Sequence, residues 1–250
     1  SLDENTFFRL PDYLLFGSRR HLPPAVSSMT AQPMNARDAM LFVVDDDAAM
    51  RRSLAYLFDS AGWRVASFES AHDFLDRYDG HVPGCLVLDV RMPLMSGLEL
   101  QQTLKNRAIS LPIIFLTGHG DLAMAVQAMK TGACDFLEKP CKDQVLLDAV
   151  TRAVQRNIRD CEANTQCHTA QAALAALTTR EREVAELLAL GKPNKIIARE
   201  LGISEKTVQV HRHNTMEKLG IHSAAEITRL LMASKTAPAD SHQEPPGQAA

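Results

Sequence analysis

The sequence has no long apolar run, and this absence excludes a helix that spans a membrane. None of its hydrophobic stretches approaches the roughly 18 residues that cross a bilayer, although 46% of the 250 residues are hydrophobic. The apolar patch at 14–16 precedes Arg19 and Arg20, which reverses the charge order of a secretory signal peptide. We therefore expect a cytoplasmic protein without a membrane partner.

Cysteine is scarce, and its pattern excludes a disulfide framework. The five cysteines are odd in number and lack the paired spacing of metal ligands. Cys161, Cys167 and His168 form only a loose cluster. This usage is typical of reduced thiols in the cytosol and does not indicate a zinc site.

The formal net charge is also small, at -3, but the charged residues are unevenly distributed along the chain. Residues 40–141 carry 9 Lys and Arg against 13 Asp and Glu, whereas residues 178–235 carry 10 against 7. The chain is long enough for two modest cores, and an acidic half beside a basic half suggests two domains with separate tasks.

Hydrophobic periodicity divides the chain into five parts. Residues 1–39 have no sustained period, and we expect a disordered leader. Residues 40–159 alternate short apolar runs with amphipathic helices, which predicts an α/β domain with a five-stranded, doubly wound parallel sheet, flavodoxin-like in its order 2-1-3-4-5. Residues 160–176 lack an apolar period strong enough for a core and are interpreted as a linker that can be partly helical. Residues 177–235 predict a small domain of four helices, and residues 236–250 a disordered tail.

Charged and hydroxyl side chains follow the predicted strands where each strand ends. Asp89 follows the buried run 85–88, and the acidic triplet 45–47 follows the first strand. In a parallel sheet these ends are neighbours at the ligand-binding edge, so two carboxylates of the triplet can converge with Asp89. Carboxylates at such short range require a cation, and Mg²⁺ fits oxygen ligands of this kind. Thr117 and Lys139 end later strands and add a hydroxyl donor and an ammonium, so the set predicts a phosphoryl-accepting site.

Each of these pieces alone has a more common interpretation. An acidic run is usually a solvated turn, a Thr after a strand usually caps a helix, and Lys-Pro is usually part of a loop. Their occurrence in order, at the ends of successive strands, favours the functional interpretation.

The same segments resemble the receiver domains of two-component response regulators, over residues 40–158. The motifs that carry the resemblance are VVDDD at 43–47, LDVRMPLMSG at 88–97, TG at 117–118 and KP at 139–140. The resemblance implies that Asp89 takes a phosphoryl group from a phosphohistidine on a sensor histidine kinase. It also implies that Mg²⁺ is held by Asp45, Asp46, Asp89 and the Arg91 backbone carbonyl.

The resemblance implies a switch around the acceptor. Lys139 and Thr117 would bind the phosphoryl oxygens, and Lys139-Pro140 would be a cis peptide. Phe136 stands where receiver domains carry a switching aromatic, although a plain core Phe is the alternative. Arg91 and His119 flank the expected path of attacking water, and an exposed loop histidine is the alternative for His119.

The basic half contains a helix with one packing side and one presented side. On a helical wheel of residues 205–219, Val208, His211, Thr215 and Leu219 share one side, and Lys206, Val210, His213 and Glu217 share the other, flanked by Gln209 and Asn214. A preceding helix and the tight turn LGIS at 201–204 predict a helix-turn-helix. A plain helical bundle is the alternative.

The stretch that begins LTTREREVAELLALG at 177 resembles the LuxR-type DNA-binding domain, over roughly 177–233. With the receiver, the chain resembles a transcriptional regulator of the NarL/FixJ class. Thr215 departs from the usual aliphatic residue. The implied contacts with base edges in the major groove are made by Gln209, Val210 and His213, and the implied contacts with phosphates by Asn194, Lys195, Lys206, Thr207 and Arg212.

The implied function is a phosphorylation-switched transcription factor, with no enzymatic activity beyond self-phosphotransfer and autodephosphorylation. Its expected partners are a sensor histidine kinase, double-stranded promoter DNA and, when phosphorylated, a second copy of the chain as a homodimer. RNA polymerase is a further candidate partner.

Three rival functions remain open at this point. A metal-dependent phosphatase would share the Asp nucleophile and Mg²⁺, but such enzymes carry an acid two residues after it, where this chain has Arg91. A quorum-sensing regulator would share the DNA-binding domain but needs a small-molecule cavity. A DNA-binding protein whose receiver is never phosphorylated is excluded only by chemistry at Asp89.

Overall fold

The structure, a computed structural model, describes residues 38–80, 82–118 and 122–235. Three of the predictions concern residues outside this part of the chain: residues 1–37 of the predicted leader, the predicted tail at 236–250, and His119. The described residues begin with a sheet whose five strands are β1 (Met40–Val44), β2 (Arg64–Phe68), β3 (Gly84–Leu88), β4 (Ile113–Thr117) and β5 (Asp135–Glu138).

The sheet is parallel throughout, in the order β2-β1-β3-β4-β5. This confirms the predicted order. Val44 of β1 lies in register with Leu88 of β3. The residues that follow them, Asp45 and Asp89, therefore leave two neighbouring strands at the same edge, which is the edge where doubly wound sheets bind ligands.

Helices cover both faces of the sheet. Every residue of β3 and of β4 is buried, as expected for strands that have helices on both sides. Burying each large apolar side chain contributes about 1.5 to 3 kcal/mol, so these central strands fix the position of the acidic edge. The helices of this part are α1 (Ala48–Ser60), α2 (Ala71–Arg77), α3 (Gly97–Asn106), α4 (Leu122–Thr131) and α5 (Asp143–Ala175).

Side-chain caps start the helices that follow the acidic edge. The Asp47 side chain accepts a hydrogen bond of 2.7 Å from the Ala49 amide at the start of α1. Ser96 and Glu99 form a reciprocal capping box at the start of α3. Such caps satisfy amides that have no partner in the first helical turn, so the sequence fixes where the chain turns away from the site.

Residues 160–176, which we interpreted as a linker that can be partly helical, are helical along nearly their whole length. The helix α5 runs without a break from Asp143 to Ala175, so nearly all of the expected linker is helical. Cys167, Ala170 and Leu174 are buried on it, and the last two belong to the core of the C-terminal part. Their spacing is helical, but cysteine and alanine contribute little hydrophobicity, which hid the pattern.

The C-terminal part is all-helical, as predicted. Its core is shared by the end of α5 and four further helices. Gly202, with φ +66°, makes the left-handed turn between the second and third of them, a conformation that glycine adopts without strain. None of the described helices is long and apolar enough to cross a membrane. The four helices are α6 (Thr179–Ala189), α7 (Asn194–Leu201), α8 (Glu205–Leu219) and α9 (Ala224–Lys235).

Candidate functional sites

Two buried aspartates and a lysine meet at the carboxyl edge of the sheet. Asp45 is 3% exposed and Asp89 is 8% exposed. The Lys139 Nζ lies 2.7 Å from Asp45 Oδ2 and 3.0 Å from Asp89 Oδ1. Along the chain, Lys139 is separated from Asp89 by 50 residues and from Asp45 by 94 residues. The parallel order of the strands brings all three side chains together.

The electrostatics of this cluster follow from its burial. Burial raises the pKa of Asp89, and the hydrogen bonds from Lys139 and from the Arg91 amide oppose this rise only in part. Burial disfavours the Lys139 ammonium, but its hydrogen bonds to both carboxylates outweigh this effect and raise its pKa. The ammonium therefore supplies a fixed positive charge between two acids, and the three groups together keep one negative charge in excess.

The acidic triplet divides into three different roles. Asp45 is buried with Asp89, whereas Asp46 is exposed and Asp47 caps α1. Within residues 38–80, 82–118 and 122–235, no three His, Cys, Asp or Glu side chains lie close enough to hold a metal ion. Of the triplet, Asp45 is the residue that shares the Lys139 ammonium with Asp89.

The remaining residues predicted for this site lie around the cluster. Thr117 is 1% exposed at the end of β4, and its carbonyl accepts a 2.7 Å hydrogen bond from the Lys139 amide. The Arg91 amide donates to Asp89 Oδ2 at 2.8 Å. Phe136 is half-buried and its ring centre lies 6.1 Å from that of Phe115. The Lys139-Pro140 peptide is cis.

Gly97 packs closely against the backbone of Asp89, and this contact was not predicted from the sequence. An added Cβ at Gly97 would lie 2.2 Å from the Asp89 carbonyl oxygen and 3.0 Å from the Phe115 ring. The Gly97 amide also donates to the Val90 carbonyl. The start of α3 therefore packs directly against the backbone that follows β3. The Ser-Gly pair at 96–97, a cap followed by the smallest residue, was the signal for this close approach.

The helix α8 presents most of the residues predicted to contact DNA. Val208, Thr215 and Leu219 are buried on one side, in agreement with the helical wheel. Val210 is 52% exposed, which is high for an apolar side chain and fits a contact surface. The remaining residues predicted for this helix are exposed at Lys206, Gln209 and His213 and half-buried at Thr207 and Arg212.

The neighbouring helix α7 places its two predicted residues differently. Lys195 is exposed. Asn194 is half-buried, and its Oδ1 atom is buried with no hydrogen-bond partner in the described part of the chain. Phosphate oxygens accept hydrogen bonds, so the amide nitrogen is the atom of this side chain that suits the predicted phosphate contact.

The departure at Thr215 belongs to a polar contact between α6 and α8. Thr215 is fully buried, and its hydroxyl donates to the Glu181 carbonyl at 3.4 Å. The Lys218 ammonium lies 2.7 Å from Glu181 Oε2. The hydrogen bond from Lys218 holds the pKa of Glu181 below its usual range. A hydroxyl at position 215 thus finds a hydrogen-bond partner in the core between α6 and α8.

The fold and the acidic edge define a response-regulator receiver domain, and the helical part with its presented helix defines a helix-turn-helix domain. The family model described as the response regulator receiver domain matches residues 41–151. The model of the bacterial regulatory proteins of the luxR family matches residues 175–231.

Similar proteins match this chain over a stretch that is longer than either domain alone. Nodulation protein W of Bradyrhizobium diazoefficiens is 46% identical over 192 residues, which are 77% of this chain and 85% of that protein. Transcriptional regulatory protein FixJ of the same organism is 45% identical over 77% of this chain and 94% of its own length. The solved structure of the response regulator StyR has a TM-score of 0.71 at 45% identity and covers 78% of this chain and 98% of its own.

The chain belongs to the response regulators of the NarL/FixJ class, in which a receiver domain is joined to a LuxR-type DNA-binding domain. It is a transcription regulator of a two-component system. This class implies a sensor kinase and DNA as its partners.

Proposed function

We propose that Asp89 accepts a phosphoryl group from a phosphohistidine of a sensor histidine kinase, and that this controls dimerisation and binding to promoter DNA. The observation that carries the proposal is the bridged cluster of Asp45, Lys139 and Asp89 at the ligand-binding edge. An Asp89 carboxylate oxygen forms the new bond to phosphorus while the bond between phosphorus and the histidine nitrogen breaks, and the imidazole leaves.

Lys139 supports this transfer electrostatically. Its ammonium already lies within hydrogen-bond distance of both carboxylates, so it can shift to an incoming phosphoryl oxygen without leaving the site. A preorganised cation at the place where negative charge arrives costs little reorganisation. The hydroxyl of Thr117 is the second donor that we assign to the phosphoryl oxygens.

The donor set also fits Mg²⁺. Asp45 and Asp89 are buried carboxylates whose combined charge exceeds that of Lys139, and burial penalises the charged form of Asp89, so a further cation is accommodated. We propose that Asp46, which is exposed in this structure, turns toward Asp45 and Asp89 when the ion binds. These three carboxylates and the Arg91 carbonyl would then hold the ion. When bound, Mg²⁺ would neutralise phosphoryl oxygens and align them with the acceptor.

The site supports a switch better than an enzyme that turns over. Arg91, two residues after the acceptor, replaces the acid that a phosphatase of this type carries. The acyl phosphate is then removed by slow autodephosphorylation. Phosphorylation draws Thr117 toward the phosphoryl group and turns the half-buried Phe136 inward, which remodels the surface of α4 and β5.

The outer face of α4 fits a homodimer interface. Leu122, Val126 and Met129 are 79%, 45% and 47% exposed and recur at helical spacing. Three large apolar side chains on one exposed helix face are typical of a surface that another protein covers. A second phosphorylated copy would meet it with the same face, which is the usual arrangement of a symmetric dimer.

The test of this function is the solution mass with and without beryllofluoride plus Mg²⁺, measured by light scattering. Beryllofluoride stands in for the phosphoryl group on Asp89. We expect a monomer that becomes a dimer in the wild-type protein and remains a monomer in Asp89→Asn. Equal masses for the wild-type protein in both conditions would contradict control through dimerisation.

Contacts of α8 with DNA are the second part of the proposal. The contacts with base edges are assigned to Gln209, Val210 and His213. The contacts with phosphates are assigned to Lys206, Thr207, Arg212, Asn194 and Lys195. With so few cations in each subunit, tight binding calls for a dimer on paired half-sites. RNA polymerase is the further partner that we propose for the complex on a promoter.

We expect Lys206→Ala and Gln209→Ala to have different effects on DNA binding. Loss of the Lys206 ammonium should weaken binding to all sequences and reduce its salt dependence by about one counterion per subunit. Loss of the Gln209 amide should change the preference among sequences by about 1 to 3 kcal/mol. Binding isotherms on a randomised set of operators at two salt concentrations separate the two. A change in sequence preference alone for Lys206→Ala would reverse our assignment of this contact.

A further inference from the structure

The helix α3 buries a polar side chain on its apolar face. Gln101 is 4% exposed and lies among buried neighbours that include Leu100 and Leu104. Its Nε2 donates a 3.0 Å hydrogen bond to the Ala128 carbonyl of α4. The opposite assignment of the amide would set two oxygens against each other, so the acceptor fixes its orientation.

The other half of this amide has no partner. The Gln101 Oε1 atom is buried and accepts no hydrogen bond from the described residues. A buried carbonyl without a donor is costly, because it has lost its water and gained nothing in return. The 3.0 Å hydrogen bond to Ala128 therefore offsets only part of the cost of burying this amide, and moving α4 away would lose that part as well.

The hydrogen bond from Gln101 reaches α4 at Ala128, the residue of that helix that is buried. The Ala128 carbonyl also accepts a 3.0 Å hydrogen bond from the Ala133 amide, just beyond the end of the helix. From there the chain enters β5, which carries Phe136. The hydrogen bond from Gln101 thus joins α3 to the helix whose outer face carries Leu122, Val126 and Met129.

We propose that Gln101 is a positioning residue that holds α4 in its unphosphorylated position, so that the strength of this single hydrogen bond sets how readily α4 moves. The inference rests on the proposed function, because it concerns the helix to which dimerisation is assigned. Removing the side-chain donor releases α4, and the released helix samples the position that phosphorylation would select. A larger population of the competent position raises the apparent affinity for a second copy in proportion.

The experiment is hydrogen-deuterium exchange on full-length, unphosphorylated Gln101→Leu. Leucine fills most of the same volume and removes both the donor and the unpaired oxygen. We expect backbone amides of α4 to exchange about tenfold faster than in the wild-type protein, while those of α1 and β3 do not change, because the loss of protection is local. Unchanged or slower exchange in α4, or equally faster exchange everywhere, would overturn the proposal.

Gln102→Leu is the matched control. Gln102 is the next residue of the same helix and is exposed, and its amide donates to Asn106 within α3. The same substitution there should leave α4 exchange unchanged. If Gln101→Leu does not fold, Gln101→Met removes the donor with a more adaptable side chain and is judged by the same exchange rates.

A second measurement distinguishes this inference from the proposed function. Without beryllofluoride, Gln101→Leu should dimerise about tenfold more tightly than the wild-type protein, with the rate of phosphoryl uptake from acetyl phosphate unchanged. A merely structural role would lower stability and leave dimerisation as it was, which would count against the proposal. If the wild-type protein stays monomeric with beryllofluoride, the proposed dimerisation fails, and the exchange rates alone decide the role of Gln101.

Discussion

Asp89→Asn is expected to abolish phosphoryl uptake completely while leaving the fold intact. The amide nitrogen and oxygen of Asn cannot replace a carboxylate nucleophile. Lys139 keeps its 2.7 Å hydrogen bond to Asp45, so it is not left as an unpaired buried cation. Because burial raises the pKa of Asp89, folding penalises its charged form at neutral pH, and the neutral amide removes that penalty. The free energy of unfolding should change by no more than about 1 kcal/mol.

Intact-mass spectrometry after incubation with acetyl phosphate and Mg²⁺ measures this effect. The wild-type protein should gain the mass of one phosphoryl group, and Asp89→Asn should gain none. Asp47→Asn is the matched control, because it lies in the same acidic edge but caps α1, and Asn caps a helix as well as Asp does. An adduct on Asp89→Asn, or its loss in Asp47→Asn, would refute the choice of Asp89 as the acceptor.

Gly97→Ala is expected to have the largest effect on stability of any single methyl addition near the site. Its Cβ would lie 2.2 Å from the Asp89 carbonyl oxygen, a backbone atom that no side-chain rotation can move away. The start of α3 and the end of β3 must then separate, which should cost about 2 to 3 kcal/mol. The shift reaches Asp89 itself, and a displacement of some tenths of an ångström should slow phosphoryl uptake about tenfold or more.

Urea denaturation, followed by the acetyl phosphate assay, measures both effects. Gly118→Ala is the control for stability, since an added Cβ there meets no atom within 4 Å and its φ is not in the left-handed region. We expect the free energy of unfolding of Gly118→Ala to lie within about 0.5 kcal/mol of the wild-type value. Equal stability of the two variants would mean that the contact between Gly97 and Asp89 is relieved at no cost.

The sequence predicted the receiver fold well because its signals are local. A short apolar run that ends in an acid, followed by a cap and an amphipathic helix, needs only neighbouring residues to be recognised. Parallel strands joined by helices then have few permitted orders. The convergence of Asp45 and Asp89 followed from this topology alone.

The sequence failed where a pattern was built from weakly hydrophobic residues or depended on a distant partner. Ala170 and Cys167 bury part of α5, yet neither has enough apolar surface to reveal a helical stripe. The sequence showed Thr215 only as a departure from the usual aliphatic residue, because its acceptor, the Glu181 carbonyl, lies 34 residues away. Such contacts form only when two helices have packed.

The sequence by itself determined the two-part organisation, the strand order and the acidic edge, because hydrophobic period and turn chemistry act over a few residues. Only the tertiary structure decided which acid joins Asp89, that Lys139 bridges the pair, and that Gly97 packs against the acceptor backbone. These facts depend on ångström distances between segments far apart in the chain. The physical reason is that charge interactions and steric contacts act through space, and their strength is fixed by how the helices and strands pack.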